Sequence, residues 1–225
     1  MTESSPSDPA LEALFDAGFP RKPVDELRAN VQREVEACLS SSDPSSALWH
    51  AHELAERALH QIERERRHLK TVPRVACRAG CSSCCFLRVE VTAAEAELLW
   101  PLVRDLELLD KVRATSERVS GLDRLARLRE RVPCALLSEA GSCLVHERRP
   151  FACRAANSLD EKACEAHVAS ANVLGEVPID PVPFAVQRAT ALGFGSGLRS
   201  HGLPAVVGEL HAMLCACQGP GRETR

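Results

Sequence analysis

Apolar residues recur at helical spacing over much of the chain, beginning with the stretch from Val24 to Leu39. One face of that stretch carries Val24, Leu27, Val31, Val35 and Cys38. This period predicts an amphipathic helix that ends near Leu39, with Cys38 as a small core residue. A second helix is predicted from about Pro44 to His68, because Asp43 offers an N-cap and Pro44 suits the first helical position.

The middle of the chain changes pattern after a run of cysteines. Residues 86–91 alternate and predict a short extended segment, after which Thr92 and Glu95 form a capping box that opens another helix. Pro101 should kink this helix. A further helical stretch is predicted from about Asp110 to Arg131, with Gly121 as a point of interruption.

Downstream, the pattern predicts a hairpin that turns at Gly141. Ser158 and Glu161 form a second predicted capping box, which starts a helix carrying Cys164 and His167. From Asp180 onward two more helices are expected, divided by His201-Gly202. The second of these should face inward with Val206, Val207, Leu210 and Leu214.

Composition favours helices over sheets. Only 4% of the 225 residues are aromatic and none is Tyr, so the core must consist mainly of Leu, Val and Ala. The predicted fold is mainly α, a helical domain with a small irregular, hairpin-containing, cysteine-rich metal-binding core. Its predicted divisions are a disordered N-terminus (1–9), N-terminal helices (10–70), a cysteine-cluster region (71–170) with a helical insertion (92–131), and C-terminal helices (171–225) that pack on the same domain.

The net charge of −3 gives no general attraction to nucleic acid or to an anionic membrane. No apolar run approaches the roughly 20 residues that span a bilayer, so no membrane interaction is expected. The polar N-terminus lacks the basic-then-apolar order of a signal peptide, which predicts a cytoplasmic protein. There the 11 cysteines, an odd number, should be reduced rather than paired as disulfides.

The cysteines carry the clearest chemical signal. Cys77, Cys81, Cys84 and Cys85 place four thiols within nine residues, and Cys134, Cys143, Cys153 and Cys164 add four more at wide intervals. Thiolates are soft anionic ligands that suit zinc, iron and iron–sulfur clusters. We expect the fold to gather both groups around bound metal. The downstream thiols are too far apart in sequence to be local chelates. This spacing slightly favours a cluster or a multinuclear site over a zinc site.

These motifs resemble a known family. The run Cys-x3-Cys-x2-Cys-Cys, followed by Pro133-Cys134, Gly141-Ser-Cys143 and Arg149-Pro-Phe-Ala-Cys153-Arg154, is similar to the YkgJ-like cysteine-cluster (CxxCxxCC) family of zinc- or iron-chelating proteins. The resemblance spans about Cys77 to Cys164 and implies the same eight ligands, although the first gap is three residues instead of two. Some proteins with a similar signature act in lysine methylation of flagellin, but membership implies metal more strongly than a reaction.

Other motifs have weaker interpretations. The Cys77-x3-Cys81-x2-Cys84 spacing also occurs in radical S-adenosylmethionine enzymes, but the alternating strands and helices of their barrel are missing here. Gly193-Phe-Gly195-Ser-Gly197 follows helical sequence, so close helix approach or bending explains it better than a phosphate loop. Neither Cys84-Cys85 nor Cys215-Ala-Cys217 has the CxxC spacing of a thiol–disulfide switch.

Two groups near the cysteines have alternative roles. His146 and His167 could complete a site or support a ligand, although eight thiols already suffice for two four-coordinate ions. The cations from Arg64 to Arg78 suit a solvated helix end, or alternatively offset the negative charge of a thiolate site.

Two classes of function follow from these residues. The first is a cytoplasmic iron centre with a redox or oxidative enzymatic role. The second is a structural zinc module that serves as an interaction platform. An iron–sulfur-dependent protein-modifying enzyme of the lysine methylation type is a further alternative. No residue identifies a substrate or a protein partner, and whether the protein is an enzyme stays open.

Overall fold

The computed structural model describes residues 8–67, 74–78, 80–170 and 177–218. The described residues form ten α-helices and one two-stranded antiparallel sheet, so the predicted mainly α class is confirmed. The chain divides into two compact units. Unit 1 contains residues 1–73 and 180–205, and unit 2 contains residues 74–179 and 206–225. No described helix is both long and apolar enough to cross a bilayer.

Unit 1 is helical in its described part. Its helices are α1 (Pro9–Asp16), α2 (Arg21–Leu39), α3 (Pro44–Arg66) and α9 (Pro181–Ser200). Asp43 caps α3 through its carboxylate, as predicted, with Pro44 at the first position. Asp8 caps α1 and also accepts a hydrogen bond from Arg188 Nε at 2.8 Å. Asp8 and Pro9, which fall in the predicted disordered tail, therefore belong to the α1 cap and helix, while residues 1–7 of that tail lie outside the described residues.

Two glycines allow α9 to lie close against α2. A Cβ atom at Gly193 would stand 2.6 Å from the Arg28 carbonyl oxygen, and one at Gly197 would stand 2.5 Å from Val35 Cγ1. Both positions are therefore small because of helix packing, which confirms the close-approach interpretation of this glycine motif. The opposing Val31 and Val35 of α2 are completely buried.

The basic end of α3 has a local role in unit 1. Arg66 Nη1 lies 3.4 Å from Asp180 Oδ2, at the residue that caps α9. The predicted continuation of α3 to His68 and the cation Lys70 fall outside the described residues.

Unit 2 contains shorter elements around an apolar core. They are β1 (Glu90–Thr92), α4 (Ala93–Asp105), α5 (Leu109–Val119), α6 (Arg124–Glu130), α7 (Phe151–Ala155), α8 (Glu161–Ser170), β2 (Val207–Glu209) and α10 (Leu210–Ala216). The fully buried core includes Val91, Leu99, Val103, Val112, Leu136, Leu210 and Leu214. The Thr92–Glu95 capping box is present as predicted.

One local prediction for unit 2 is confirmed and two need correction. The stretch from Asp110 to Arg131 is interrupted at Gly121, as predicted, because the chain turns there with a φ of +72° and forms two helices. Helix α8 is capped by Asp160, whose carboxylate accepts the N–H of Lys162, so the Ser158–Glu161 capping box was wrong. Val206 and Val207 are 57% and 56% exposed, because the chain there approaches and enters a strand and does not present a helical face.

Candidate metal centre

The first cysteine group lies on an irregular loop followed by a short 3-10 helix. Gly80 adopts a φ of +83°, a left-handed conformation that a side chain disfavours, between Cys77 and Cys81. The Cys81 N–H then donates to Arg78 O at 3.1 Å. The 3-10 helix, Ser83–Phe86, carries the adjacent Cys84 and Cys85. All four thiols are thus presented by backbone that follows neither a long helix nor a strand.

The hairpin with Cys134 and Cys143 lies directly against this loop. The Cys134 N–H donates to Cys85 O at 2.8 Å, which ties the second group to the first. Leu137 and Cys143 form an isolated antiparallel bridge, and Gly141 turns the chain with a φ of +77°. A Cβ atom at Gly141 would lie 3.3 Å from Gly80 O, so the hairpin turn also approaches the loop.

The last two cysteines arrive on α7 and α8. Helix α7 carries Cys153, and Glu95 Oε1 accepts the Phe151 N–H at 2.8 Å at the start of that helix. Ser158 connects α8 to the first loop, because its carbonyl accepts the Ala76 N–H at 2.8 Å. Burial raises the pKa values of the Cys77 and Cys164 thiols. Hydrogen bonds from Ser158 lower them in part, through its backbone for Cys77 and through its side chain for Cys164.

All eight predicted ligands therefore belong to unit 2, where neighbouring thiols add to the effect of burial on one another's pKa values. These effects form two sets that overlap at Cys84. In the first set, Cys81 and Cys84 raise the pKa of Cys77, and Cys77, Cys81 and Cys84 raise the pKa of Cys164.

In the second set, Cys134 and Cys143 raise the pKa values of both Cys85 and Cys153, and Cys143 raises the pKa of Cys134. Cys84 also acts on members of this set, raising the pKa values of Cys85, Cys143 and Cys153. Cys84 thus lies next to both sets, and each set mixes thiols from the upstream run with thiols from downstream.

The hydrogen bond between the adjacent thiols of Cys84 and Cys85 shifts their pKa values in opposite directions. The hydrogen bond from Cys85, assisted by the Arg149 guanidinium, lowers the pKa of Cys84 to about 6 against the effect of burial. The same hydrogen bond and burial raise the pKa of Cys85. Burial also raises the pKa of Cys134 to about 11 and the pKa of Cys153 well above its ordinary value. Burial therefore favours the protonated forms of Cys134 and Cys153.

Arg149 supplies a positive charge to the cluster that the sequence analysis did not single out. Its guanidinium lowers the pKa values of four thiols, namely Cys77, Cys84, Cys143 and Cys153. Its Nε donates to the His146 carbonyl oxygen at 3.2 Å, which holds the side chain in place. Its position four residues before Cys153 was visible in the sequence, but its proximity to distant cysteines depends on the tertiary fold.

The thiols lie near one another without yet forming a coordination sphere. In the described part of the chain, no group of three or more His, Cys, Asp or Glu side chains is arranged to hold a metal ion. A Zn–S bond is about 2.3 Å long, so binding would need side-chain rotation together with loss of the thiol protons. The donor set fits zinc or iron chemically, because it consists of thiols with a guanidinium nearby.

The remaining histidines and cysteines differ in how close they are to the proposed ligands and in how buried they are. His146 is largely exposed and lies 3.2 Å from Glu147. His167 Nδ1 is buried and has no hydrogen-bond partner among the described residues, so its role as a further ligand stays a prediction. Cys38 lies on α2 in unit 1, while Cys217 is buried and Cys215 packs against the core of unit 2. All eleven cysteines are free thiols.

The protein is mainly helical, and its unit 2 contains a cysteine-rich region. Residues 76–170 match the family model CxxCxxCC, described as "Putative zinc- or iron-chelating domain". The resemblance drawn from the sequence is therefore confirmed for this stretch, which contains all eight predicted ligands, and zinc or iron is the metal its description gives. No curated protein and no solved structure matched the chain.

Proposed function

We propose that the protein binds iron or zinc through eight cysteine thiolates arranged as two sets of four. The first set is Cys77, Cys81, Cys84 and Cys164, and the second is Cys85, Cys134, Cys143 and Cys153. The observation that carries this proposal is the pair of backbone hydrogen bonds that hold upstream and downstream cysteines together, from the Cys134 N–H to Cys85 O at 2.8 Å and from the Ala76 N–H to Ser158 O at 2.8 Å. The effects of neighbouring thiols on one another's pKa values support it. Four thiolates satisfy one tetrahedral ion or one cluster, and the Cys84–Cys85 peptide places the two sets side by side.

A redox or oxidative role of an iron centre is the version that we favour. Cys77 and Cys84 are exposed, so one edge of the cluster is open to solvent and to a reaction partner. Electron transfer and substrate access need such an opening, whereas a purely structural site is normally closed. A cytoplasmic location belongs to the same proposal, because reduced thiolates persist in a reducing compartment.

A structural zinc module is the second candidate. The number of predicted ligands favours it, since eight thiols suffice for two ions and a closed site of four cysteines around one ion is a common form of structural zinc. In this version the centre would stabilise unit 2 as a surface for a protein partner, with no chemistry at the metal. A protein-modifying enzyme of the lysine methylation type would require the open iron site of the first version.

Metal analysis combined with absorption spectroscopy distinguishes these versions. Full-length protein purified without oxygen should contain stoichiometric iron and show broad visible absorption that bleaches with dithionite. Colourless protein with stoichiometric zinc would exclude the iron version and support the structural module. Fully folded protein that contains neither metal, and takes up neither on reconstitution, would overturn the proposal as a whole.

Single substitutions test the division into two sets. Cys81→Ser should reduce the metal content of the first set and Cys143→Ser that of the second, so each should lose about half of the bound metal. Cys38→Ser and Cys215→Ser are matched controls, because both residues are partly buried cysteines outside the proposed sets. If either control lost as much metal as the two test variants, the assignment of ligands would be wrong.

A further inference from the structure

The folded unit around the cysteines extends beyond the stretch that matches the family. Strand β2 pairs with β1, with Glu209 opposite Glu90 and Val207 opposite Thr92. Leu210 N–H continues this pairing by donating to Val89 O at 2.9 Å. Helix α10 then buries Leu210 and Leu214 in the same core as α4 and α5. The segment from residue 206 to 218 is therefore part of unit 2, although the family match ends at residue 170.

This segment completes a buried polar cluster in unit 2. The side chains of Arg127, Glu209 and His211 are 1%, 7% and 1% exposed. Glu209 Oε1 accepts hydrogen bonds from Arg127 Nη1 at 2.7 Å and from His211 Nδ1 at 2.8 Å. Glu209 Oε2 accepts the backbone N–H groups of His211 and Ala212. Burial of such groups is unfavourable unless their hydrogen bonds are satisfied, and these four hydrogen bonds satisfy the Glu209 carboxylate.

The contacts of His211 fix its tautomer. The Ala135 N–H donates to His211 Nε2 at 3.1 Å in a buried position. A ring nitrogen that accepts a hydrogen bond carries no proton, so the imidazole proton lies on Nδ1 and is donated to Glu209. Glu209 thus orients the ring, and the ring presents a lone pair to the backbone of the hairpin.

The peptide that His211 contacts directly follows a proposed ligand. Cys134 precedes Ala135, and the Cys134 N–H donates to Cys85 O at 2.8 Å. Two successive N–H groups are therefore fixed, one by the first cysteine loop and the next by the imidazole. Fixing both restricts the backbone on either side of the Cys134 Cα atom, and with it the direction of the Cys134 side chain.

We propose that His211, oriented by Glu209, is a positioning residue for the metal centre, because it fixes the peptide that directs Cys134 towards the other thiols. This inference rests on the proposed function, since it assumes that Cys134 binds metal. It also assigns the C-terminal segment a part in the site, outside the residues that the family match covers. Groups that orient metal ligands typically change metal affinity by about 10- to 100-fold when they are removed.

Two substitutions at His211 separate its two hydrogen bonds. The amide of Gln reaches the position of Nε2, so His211→Gln keeps an acceptor for the Ala135 N–H and loses the donor to Glu209. The shorter Asn reaches the position of Nδ1, so His211→Asn keeps the donor and leaves the Ala135 N–H without its acceptor. Each variant loses one buried hydrogen bond, so both should lower apo-protein stability in urea by similar amounts.

Cobalt(II) is the probe, because its thiolate complexes show charge-transfer and d–d absorption bands that report the ligand geometry. Full-length reduced protein is titrated with Co²⁺ without oxygen, with His201→Asn on the exposed end of α9 as a control. We expect His211→Asn to bind the last equivalents of Co²⁺ about 10- to 100-fold more weakly than the wild type does, and its d–d absorption bands to change. His211→Gln and the control should stay within a few-fold of the wild type.

The outcomes distinguish this inference from the proposed function. Wild-type protein without thiolate–cobalt absorption would overturn the proposed function itself. Wild-type cobalt binding that His211→Asn leaves unchanged would overturn only the positioning role. Equal losses of cobalt affinity in both His211 variants would also overturn the positioning role, because the affinity would then depend only on the stability of the folded protein. If His211→Asn does not fold, ¹⁵N NMR of the wild type gives an independent test, since a proton on Nε2 would contradict the contact with Ala135.

Discussion

The close approach of α9 to α2 makes a quantitative prediction about Gly193. Gly193→Ala would place a Cβ atom 2.6 Å from the Arg28 carbonyl oxygen and 2.8 Å from Val31 Cβ. The carbonyl belongs to the α2 backbone, so the clash cannot be relieved by rotating a side chain. The two helices must separate, and overpacking of this kind costs about 1–3 kcal/mol.

Helix propensity acts in the opposite direction, since Ala is favoured over Gly by about 1 kcal/mol inside a helix. Gly195, on the same helix, isolates this contribution, because its Cβ would lie 3.5 Å from the flexible end of Arg199 and clash with nothing. Gly195→Ala should therefore gain about 0.5–1 kcal/mol. Gly193→Ala should lose up to about 2 kcal/mol after the gain in propensity is subtracted.

Urea denaturation of the metal-loaded full-length protein, followed by far-ultraviolet circular dichroism, measures both changes against the wild type. The two variants should shift the midpoint in opposite directions, with Gly193→Ala unfolding first. A Gly193→Ala protein as stable as Gly195→Ala would refute the argument, because it would show that α2 and α9 do not meet at the distance described.

Three further predictions concern unit 2. Removing metal with a chelator under reducing conditions should loosen residues 74–170 far more than α2 and α3, because structural zinc contributes about 10–16 kcal/mol in small peptides. Hydrogen exchange measures the loosening, and equal protection of the backbone amides in both regions would contradict the prediction. Arg149→Met should shift the onset of metal binding to higher pH, because it removes the cation that lowers the pKa values of four thiols. The control Arg129→Met, on the exposed face of α6, should leave the onset unchanged. Metal titrations at several pH values measure the onset in both variants. Burial raises the pKa of Glu95 despite hydrogen bonds from Thr92 and Phe151. The free energy of unfolding should therefore fall as pH rises through that pKa. Urea titrations should show that Glu95→Gln removes this pH dependence.

The cysteine list and several helix starts could be predicted because they depend on local sequence. Asp43 and Thr92 cap their helices through residues two or three positions away, and the glycines of α9 appear in one helical turn. Ser158 shows the limit of this approach. Its spacing from Glu161 fits a capping box, but Asp160, which directly precedes the helix, caps it. The Ser158 side chain instead forms a hydrogen bond with the Cys164 thiol.

Long-range pairs could not be predicted in this way. The partner of β1 lies near the C-terminus, and the three residues of β2 are too few to show alternation. Val206 and Val207 consequently looked like part of the α10 face. The buried Arg127 likewise resembles any other cation of a polar helix, since only the tertiary fold brings it to Glu209.

The pairing of Glu90 with Glu209 also has a consequence for biosynthesis. A ribosome releases every one of the eight proposed ligands, the last of them Cys164, well before it releases β2. Any ion captured by the nascent chain is therefore held at first without His211 in place. We therefore expect the coordination geometry to mature only after residues 207–211 have emerged, so protein truncated before β2 should retain the sulfur donors and lose the means to align them.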